Sequence, residues 1–507
     1  MIGSAYIMVV VGILLAKGVG FYRDMVFAGV FGTGAESDIY FQVFGLVNLI
    51  FTGIGVALST LVIKNLNKAE NAGRDKIYAA SFLRKSILYL IGSAVVLVIL
   101  AKPIVTLILP EVKGESFDLA VRLMYIMSPS LIFVVVAYII SGLLQNKKVF
   151  FITSIMSLPF NVAIIIALFF KNVSIETVGI VTTIGWFLHI AVQLPSFYRK
   201  GYSFLAKEDK QLRVKSKNPE IIWIFASNMM FQLCVYIDRA FVSGTRGIAS
   251  TFNYASNLFI TIASVFVVAM STVVFPAISK NYEEGNKTYV NELIQYIVSI
   301  MFAIFLPFLL VVGLFGEDLI RLIYQRGAFG PDSTTAVATM FFIYSLGVLG
   351  YLAQELFNKV IYLAGKYKYT VSGTLTVIIL NVLSNLTIKA LFPAGGEQSG
   401  IVITTASLLI AASTSVLITA YAVFIAIVLK KVIGKYWTKD LVKNIIKIFV
   451  SGGLSAIAYV LFNSFKPSFA HGYLSFAVVI IFCGTVYIAS LYVTGVLKQL
   501  IKRKTEE

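Results

Sequence analysis

The stretch that decides the fold is KGVGFYRDMVFAGVFGTGAESD, which runs from Lys17 to Asp38. The apolar segment Gly3–Ala16 before it has about 14 residues, short of the ~20 that a membrane-spanning helix needs. The first turn signal, Gly32–Gly34, comes only after a second apolar run. We therefore expect a single helix from near Gly3 to near Phe31, which carries the first three charged residues of the quoted stretch inside the membrane.

Three charged side chains lie within this predicted helix: Lys17, Arg23 and Asp24. A charge inside the membrane costs about 2.5–3.5 kcal/mol unless it faces a partner or a water-filled cavity. Because seven residues make nearly two helical turns, Lys17, Gly20 and Asp24 share one face of the helix. We interpret that face as the lining of a polar cavity. In the alternative interpretation, Arg23 and Asp24 mark an early exit from the membrane, and Met25–Phe31 lies along the interface.

The composition is that of a helical protein with many membrane spans. Hydrophobic residues make up 58% of the 507 residues, the mean hydropathy is +0.88, and apolar runs of spanning length recur from end to end. In a soluble protein, the net charge of +18 would suggest a nucleic-acid partner. Here 29 of the 42 Lys and Arg residues lie in or next to the loops after even-numbered spans, against 6 in the loops after odd-numbered spans. This positive-inside pattern predicts that both termini are cytoplasmic and argues against nucleic acid.

The hydrophobic pattern predicts an all-α fold with fourteen spans and short loops. The longest loop, Tyr198–Glu220, is basic and near the middle of the chain, so we interpret it as a cytoplasmic linker between two halves. No loop has room for a soluble catalytic domain, so we expect a protein that is not an enzyme and has no catalytic residues. The predicted spans lie near residues 3–31, 38–63, 86–109, 119–143, 149–170, 177–197, 220–243, 251–276, 290–315, 334–364, 371–392, 400–429, 445–464 and 473–496.

The two halves of the chain repeat each other. Val56–Ile63 at the end of span two parallels Val268–Phe275 at the end of span eight, and Asp24 in span one parallels Asp238 in span seven. An even number of spans separates the copies, so the repeat is parallel, with a pseudo-two-fold axis along the membrane normal. Chance similarity between hydrophobic helices is the alternative. We predict an N-terminal lobe at 1–218, a C-terminal lobe at 219–430, and two extra helices with a basic tail at 431–507.

Span seven also carries a charged pair, Asp238-Arg239. Asn228, Gln232 and Arg239 fall on one helical stripe, and a polar stripe faces protein or water rather than lipid. We therefore expect spans one and seven to face each other across a central cavity. A static ion-pair network that joins the helices is the alternative. His189, alone in span six, is interpreted as hydrogen-bonded packing.

Span ten contains Glu355 and Lys359, four residues apart on one helix face. This spacing allows an ion pair. The pair is either structural, or it opens to present Lys359 to a ligand, and the sequence favours neither interpretation.

Span eleven contains Asn381 and Asn385, also four residues apart. Their amide oxygens beside Asp238 would form a site for a hard monovalent cation such as Na⁺, helped by Thr404 or Thr405 on span twelve. Hydrogen bonding between helices is the alternative, since asparagine often joins helices in membranes.

Four motifs in this sequence form a set. They are Gly20–Asp24, Phe31–Asp38, Arg326–Phe329, and Gln354–Lys359 with Tyr362, Gly365 and Val371. The set resembles MurJ-type lipid II flippases, which belong to the multidrug/oligosaccharidyl-lipid/polysaccharide exporter superfamily. The resemblance covers nearly the whole chain, and the Arg326–Phe329 loop is fairly specific. It implies a V-shaped, two-lobed transporter with a cationic central cavity, whose last two spans line a groove for a lipid tail.

The sequence departs from this family at several positions. Lys17 and Lys359 stand where the family usually has arginine, which keeps the charge but loses the bidentate fork. After Asn48 the family typically has basic residues and a glutamate, which Leu49–Gly55 lacks, and Ser256-Asn257 replaces an Asp-Arg pair. These changes remove part of the expected cationic lining.

The resemblance implies a flippase that carries a polyprenyl-diphosphate-linked glycan across the bacterial cytoplasmic membrane by alternating access. Lipid II for peptidoglycan synthesis is the expected substrate. The doubly charged diphosphate head of such a substrate cannot cross hydrocarbon, whereas the lipid tail prefers to stay there. A cationic cavity that is open to lipid would bind the head and leave the tail in the membrane. The expected substrate-binding residues are cations for the diphosphate and carboxylates that hold them: Lys17, Arg23, Arg239 and Lys359, with Asp24, Asp38 and Glu355.

We expect no cofactor, Na⁺ as the candidate coupling ion, membrane lipids as neighbours and a monomer as the working unit. Two alternatives to lipid II stay open. One is a flippase for another undecaprenyl-linked polysaccharide, such as a teichuronic, capsular or O-antigen unit. The other is a drug antiporter of the same superfamily, which should have fewer cavity cations because its substrates are usually cationic.

Overall fold

The computed structural model describes residues 2–71, 73–204, 229–393, 403–464 and 473–502. Within these ranges the chain forms helices and no strand, which confirms the predicted all-α class. The helices of the first half are α1 Ile2–Phe31, α2 Ala35–Asn71, α3 Asp75–Ile99, α4 Ala101–Ile108, α5 Glu115–Met127, α6 Ser130–Asn146, α7 Phe150–Ser154, α8 Leu158–Leu168 and α9 Ile175–Arg199. Those of the second half are α10 Met230–Phe241, α11 Ile248–Ala269, α12 Phe275–Glu283, α13 Lys287–Tyr324, α14 Pro331–Leu346, α15 Val348–Leu363, α16 Tyr367–Leu391, α17 Thr405–Ile433, α18 Lys439–Ser464, α19 Tyr473–Val493 and α20 Val496–Lys502.

Ten candidate spans in the described chain are long and apolar enough to cross a membrane, and the bent pair α14 and α15, at 45°, makes eleven. Each overlaps a predicted span, so this is a multi-pass membrane protein. The spans predicted near 3–31, 220–243 and 473–496 are not among them, and the count of fourteen is not confirmed. Residues 220–228 lie outside the described part of the chain, as does most of the predicted linker, and the apolar helix Val478–Val493 is shorter than the others.

The helix α1 runs through Lys17, Arg23 and Asp24, which confirms the predicted single helix. Its end is capped at Gly32, whose φ is +57° and whose N–H donates to the Ala28 carbonyl at 2.8 Å. Glycine is favoured in this left-handed conformation. A Cβ at Gly32 would also collide with the Ala328 carbonyl. The Ser37 hydroxyl then donates to the Gly32 carbonyl at 3.0 Å, which closes the turn into α2.

Buried aromatic rings pack around this turn. The Phe27 and Tyr40 ring centroids are 5.0 Å apart, and those of Phe41 and Tyr254 are 5.2 Å apart. The Tyr254 hydroxyl donates to the Gly32 carbonyl at 3.1 Å. These contacts hold the end of α1 against the starts of α2 and α11.

A π-helical turn, Met270–Val274, separates α11 from α12. The Phe275 N–H bonds to the Met270 carbonyl, five residues back. Pro276 follows, which has no N–H, and its ring crowds the preceding turn, so the helix widens there. In the first copy of the predicted repeat, α2 continues without such a turn.

The described chain forms two compact units. The lobes predicted at 1–218, 219–430 and 431–507 stay a prediction, because these units follow spatial contact rather than the sequence repeat. The first unit comprises Met1–Val265, Ile320–Met340 and Thr374–Thr414, and the second comprises Phe266–Leu319, Phe341–Gly373 and Ser415–Glu507.

In the second unit, α18 and α19 pack together around a small core. Ile448, Tyr487 and Leu491 are buried in it. The Tyr487 hydroxyl donates to the Ala303 carbonyl at 2.9 Å, which joins α19 to α13. A groove for a lipid tail along these helices stays a prediction.

Candidate functional site

A cavity of about 500 Å³ lies within the first unit. Its volume is in the range of small-ligand sites, ~300–1,000 Å³. Five of the residues singled out by their spacing line it: Lys17, Arg23 and Asp24 from α1, and Gln232 and Arg239 from α10. Spans one and seven therefore face the same cavity. Asn228, the third member of the span-seven stripe, lies outside the described residues.

The Arg23 guanidinium is held on three sides. Its Nε and Nη2 donate to Asp24 Oδ1 at 3.0 and 2.6 Å, and its Nη1 donates to Asn161 Oδ1 at 3.0 Å. Its Cζ lies 5.6 Å from the Phe160 ring centroid and 5.9 Å from that of Phe44. A guanidinium has five N–H donors, so these bonds to described residues leave two for a ligand. Arg23 is thus fixed in position by Asp24 and Asn161.

The Arg239 guanidinium is fixed by α11 and α2. Its Nη1 donates to Asn253 Oδ1 at 2.6 Å, and its Cζ lies 5.4 Å from the Tyr236 ring centroid. A Cβ at Gly45 would lie 2.7 Å from Arg239 Nη2. The guanidinium therefore occupies space that only a glycine leaves free on α2.

Asp38 does not line this cavity, and the prediction that it holds a cavity cation is corrected. Its Oδ2 accepts from the Gly247 N–H and its Oδ1 from the Ser250 N–H, both at 2.6 Å. The carboxylate therefore caps the first turn of α11, where unpaired N–H groups and the helix dipole favour a negative charge. Asp38 misses the cavity because it lies in the first turn of α2. There it is next to the start of α11 and away from the cavity-lining part of α2.

The structure brings Asp238, Asn381 and Asn385 together, with Thr414 as a fourth member. Asp238 Oδ1 accepts from the amides of Asn381 at 3.0 Å and Asn385 at 2.7 Å, and its Oδ2 accepts from the Thr414 hydroxyl at 2.6 Å. All four residues are buried. No described partner reaches Asn381 Oδ1, a buried acceptor beside this carboxylate.

Thr404 does not belong to this group, contrary to the prediction. Its Oγ1 accepts from the Ser407 N–H at 3.1 Å, at the start of α17. Thr414 is ten residues further along, which is about 15 Å at 1.5 Å per residue. The prediction placed the hydroxyl ligand at the start of α17. The position of Asp238 along α10 determines which hydroxyl of α17 contacts it, and that hydroxyl belongs to Thr414.

Glu355 and Lys359 lie in the second unit. The Lys359 ammonium donates to the Ser271 hydroxyl, in the π-helical turn. Within the described chain, no ion pair joins Lys359 to Glu355. Their predicted role toward a substrate stays a prediction.

Comparison with known proteins identifies the family. The family described as "Lipid II flippase MurJ" matches residues 27–481. The chain belongs to the MurJ family. It is 24% identical over 403 residues to a probable lipid II flippase MurJ of Rhizobium tropici, covering 75% of this chain and 73% of that relative. It is 23% identical over 394 residues to the lipid II flippase MurJ of Burkholderia cenocepacia, covering 73% of this chain and 75% of that one.

Solved structures share the MurJ fold with this chain. One, described as a lipid II flippase MurJ in an inward closed conformation, aligns with a TM-score of 0.80 at 20% identity, over 98% of this chain and all of that one. An inward-facing multidrug transporter of the wider superfamily aligns with a TM-score of 0.60 at 13% identity, over 83% of this chain and 95% of that one. At these identities the likeness concerns the fold.

Several positions at or next to departures from the MurJ family pattern line the cavity. Asn48, Ser256 and Asn257 are neutral polar residues there, and Lys17 is a lysine where the family usually has arginine. The cavity therefore combines three cations on α1 and α10 with neutral polar side chains on α2 and α11.

Sequence reasoning missed the aromatic part of this MurJ-family cavity. Phe160, Trp186 and His189 line it from α8 and α9. His189 was predicted to be hydrogen-bonded, but neither of its ring nitrogens has a described partner. The only available signal was a lone histidine one turn after a tryptophan, which by itself does not separate packing from a site.

Proposed function

We propose that this protein is a flippase that moves lipid II across the bacterial cytoplasmic membrane for peptidoglycan synthesis. The observation that carries the proposal is a cavity among membrane-spanning helices that is lined by two guanidinium groups and an ammonium. A diphosphate is the part of a lipid-linked glycan that cannot enter hydrocarbon, and cations with N–H donors replace its hydration. Family membership supports the same substrate.

Three residues are proposed to bind the diphosphate: Arg23, Arg239 and Lys17. Arg23 would use its two remaining N–H groups, and Lys17 would act as a point charge. Asp24 holds the Arg23 fork in place when the cavity is empty of substrate. These cations also argue against a cationic drug as the substrate, since like charges would repel it.

Alternating access, cytoplasmic termini and a monomeric working unit are parts of the same proposal. The asymmetry of loop charges supports the orientation. It is tested with cysteines at two exposed positions, Asp332 and Lys435, in a chain that lacks Cys483. An impermeant thiol reagent added outside the cell should label the first position and not the second. Equal labelling from outside contradicts the orientation.

The group around Asp238 is proposed to bind Na⁺ as the coupling ion. Its oxygen atoms fit that ion, because one carboxylate, two amide oxygens and a hydroxyl supply hard ligands and a single negative charge. Asn381 and Asn385 now donate their amide nitrogens to Asp238. A half-turn of each amide would present oxygen to a cation instead, and Asn381 Oδ1 has no described partner to lose.

The deciding experiment replaces the lipid II flippase of a bacterium by this chain and scores growth after depletion of the resident protein. We expect growth with the wild-type chain and none with Arg23→Ala at equal abundance in the membrane. Failure of an abundant, folded wild-type chain contradicts lipid II as the substrate. The same design in a strain that lacks a flippase for another undecaprenyl-linked polysaccharide then tests that alternative.

A further inference from the structure

One wall of the cavity in the first unit is aromatic. The Phe160 and Trp186 ring centroids are 4.8 Å apart, those of Trp186 and His189 are 4.6 Å apart, and those of Phe160 and His189 are 5.5 Å apart. We call these three residues the aromatic wall. The stacked rings bury one another's apolar faces, and the ring nitrogens of Trp186 and His189 are buried with them.

The polar atoms of the aromatic wall have no partner in the part of the chain that the structure describes. His189 is 3% exposed and Trp186 is 5% exposed. Among the described residues, nothing bonds to His189 Nδ1, His189 Nε2 or Trp186 Nε1. Buried polar groups are almost always paired, and a buried group without a partner is costly. A neutral imidazole needs one acceptor and one donor opposite it, and the indole needs an acceptor. A ligand that satisfies both must carry groups that donate and accept, as hydroxyls and amides do.

The aromatic wall adjoins the proposed anion donor. The Arg23 Cζ lies 5.6 Å from the Phe160 ring centroid, and Arg23 Nη1 bonds to Asn161, the next residue on α8. A group that is covalently attached to a phosphate on Arg23 would therefore meet Phe160 first, and then Trp186 and His189. The wall itself contains no carboxylate, lysine or arginine. It therefore suits an uncharged ligand.

We infer that the aromatic wall is a subsite for the sugar ring attached directly to the diphosphate. A pyranose has a face of C–H groups that packs on aromatic rings and an edge of hydroxyl and N-acetyl groups that donate and accept hydrogen bonds. The face would pack on Phe160 and Trp186, and the edge would bond to His189 and the indole N–H. This inference rests on the proposed function and assigns the wall to glycan recognition rather than to packing.

The test compares two probes that share the undecaprenyl chain and the diphosphate: lipid II, which also carries the glycan head, and undecaprenyl diphosphate, which carries none. Their affinities are measured for the purified full-length protein in lipid nanodiscs. The variants are Trp186→Ala and His189→Phe, the second of which keeps a ring in the stack but removes both nitrogens. We expect each to weaken lipid II binding roughly tenfold, the size of a lost hydrogen bond or two, and to leave undecaprenyl diphosphate binding unchanged.

Three controls accompany these variants. Phe187→Ala removes an aromatic ring next to Trp186 in sequence that is 46% exposed and packs on Phe133 instead, so it should change neither affinity. His189→Gln keeps a donor and an acceptor and should recover part of the lipid II affinity. Arg23→Ala should weaken both probes.

The possible affinity changes either support the sugar subsite or overturn it. An equal loss for both probes in Trp186→Ala and His189→Phe would assign the wall to packing and overturn it. Unchanged affinities in both variants would also overturn it and leave the flippase proposal intact. If the wild-type protein binds neither probe, the proposed function fails first, and the subsite falls with it.

Discussion

The helices α1 and α10 each carry an acidic and a basic residue side by side, but in opposite order: Arg23-Asp24 and Asp238-Arg239. In α1 the two side chains bond to each other, with Arg23 Nη2 2.6 Å from Asp24 Oδ1. In α10 the Asp238 carboxylate accepts from three neutral donors on α16 and α17, whereas Arg239 donates to Asn253 on α11.

The difference is the basis on which we propose two kinds of ligand for one pair of residue types. An internal ion pair is neutral as a unit, so Arg23 can offer its remaining N–H groups to an anion without leaving a bare carboxylate behind. When a buried carboxylate that bonds to neutral dipoles is ionised, its charge is costly, and a bound cation would offset that cost. The first arrangement suits the head of a substrate, and the second suits a coupling ion.

The largest expected effect comes from removing the α1 side of this comparison. Arg23→Ala should lower lipid II transport by about 100-fold or more, because two charge-assisted hydrogen bonds of ~1.5 kcal/mol each are lost. Arg23→Lys should retain part of the activity, since it keeps the charge without the fork. The measurement is lipid II translocation at equal protein abundance.

A matched double variant separates substrate binding from folding. Arg23→Ala with Asp24→Asn removes the uncompensated carboxylate, and it should restore any lost thermal stability but not transport. Normal transport by a folded Arg23→Ala protein would mean that the α1 pair is structural, and the comparison with α10 would lose its functional meaning.

The α10 side is tested through Na⁺. At constant ionic strength, the thermal midpoint of the wild-type protein should rise by about 5 °C when Na⁺ at a hundred times its Kd replaces K⁺. Asp238→Asn should abolish this rise, because it removes the only negative charge of the site. Thr414→Ala should reduce the rise, and the matched control Thr404→Ala should leave it unchanged. A wild-type midpoint that is the same in both salts would remove the cation site.

A smaller effect is expected where α2 makes room for Arg239. Gly45→Ala should lower transport roughly tenfold, less than Arg23→Ala, because it displaces the guanidinium and does not remove it. Gly18→Ala is the matched control, since no atom lies within 4 Å of the Cβ that it would add. Equal rates for the two variants in the translocation assay would show that the position of Arg239 does not matter.

The smallest effect is expected at Asp38, a buried carboxylate that, like Asp238, accepts from neutral donors. Asp38→Ala should lower stability by about 1 kcal/mol, seen as a lower thermal midpoint, because it removes the cap of α11. The exposed Glu36 on the same turn provides the control, and Glu36→Ala should change little. The response to Na⁺ should stay as in the wild type, since backbone N–H groups cannot turn to present oxygen. A lost Na⁺ response would place the coupling site at Asp38 instead of Asp238.

Local pattern was enough to predict much of the fold. Helical periodicity and apolar length placed eleven of the segments that the structure shows as candidate spans, and the absence of a turn before Gly32 predicted that α1 continues through its charges. The same reasoning put α1 and α10 on one cavity, because a charge in a membrane must face protein or water. These properties depend only on residues that are close to one another in sequence within each helix. The sequence by itself therefore determined them.

Tertiary structure alone decided which side chains meet between helices. Thr414 rather than Thr404 reaches Asp238, Asp38 meets the start of α11 rather than a cavity cation, and His189 lines the cavity instead of bonding within the core. Each of these depends on how far one helix is shifted along another and how it is rotated. Periodicity records which face of a helix is polar, but the shift and rotation are set by packing of the whole first unit, and no local stretch of residues contains them.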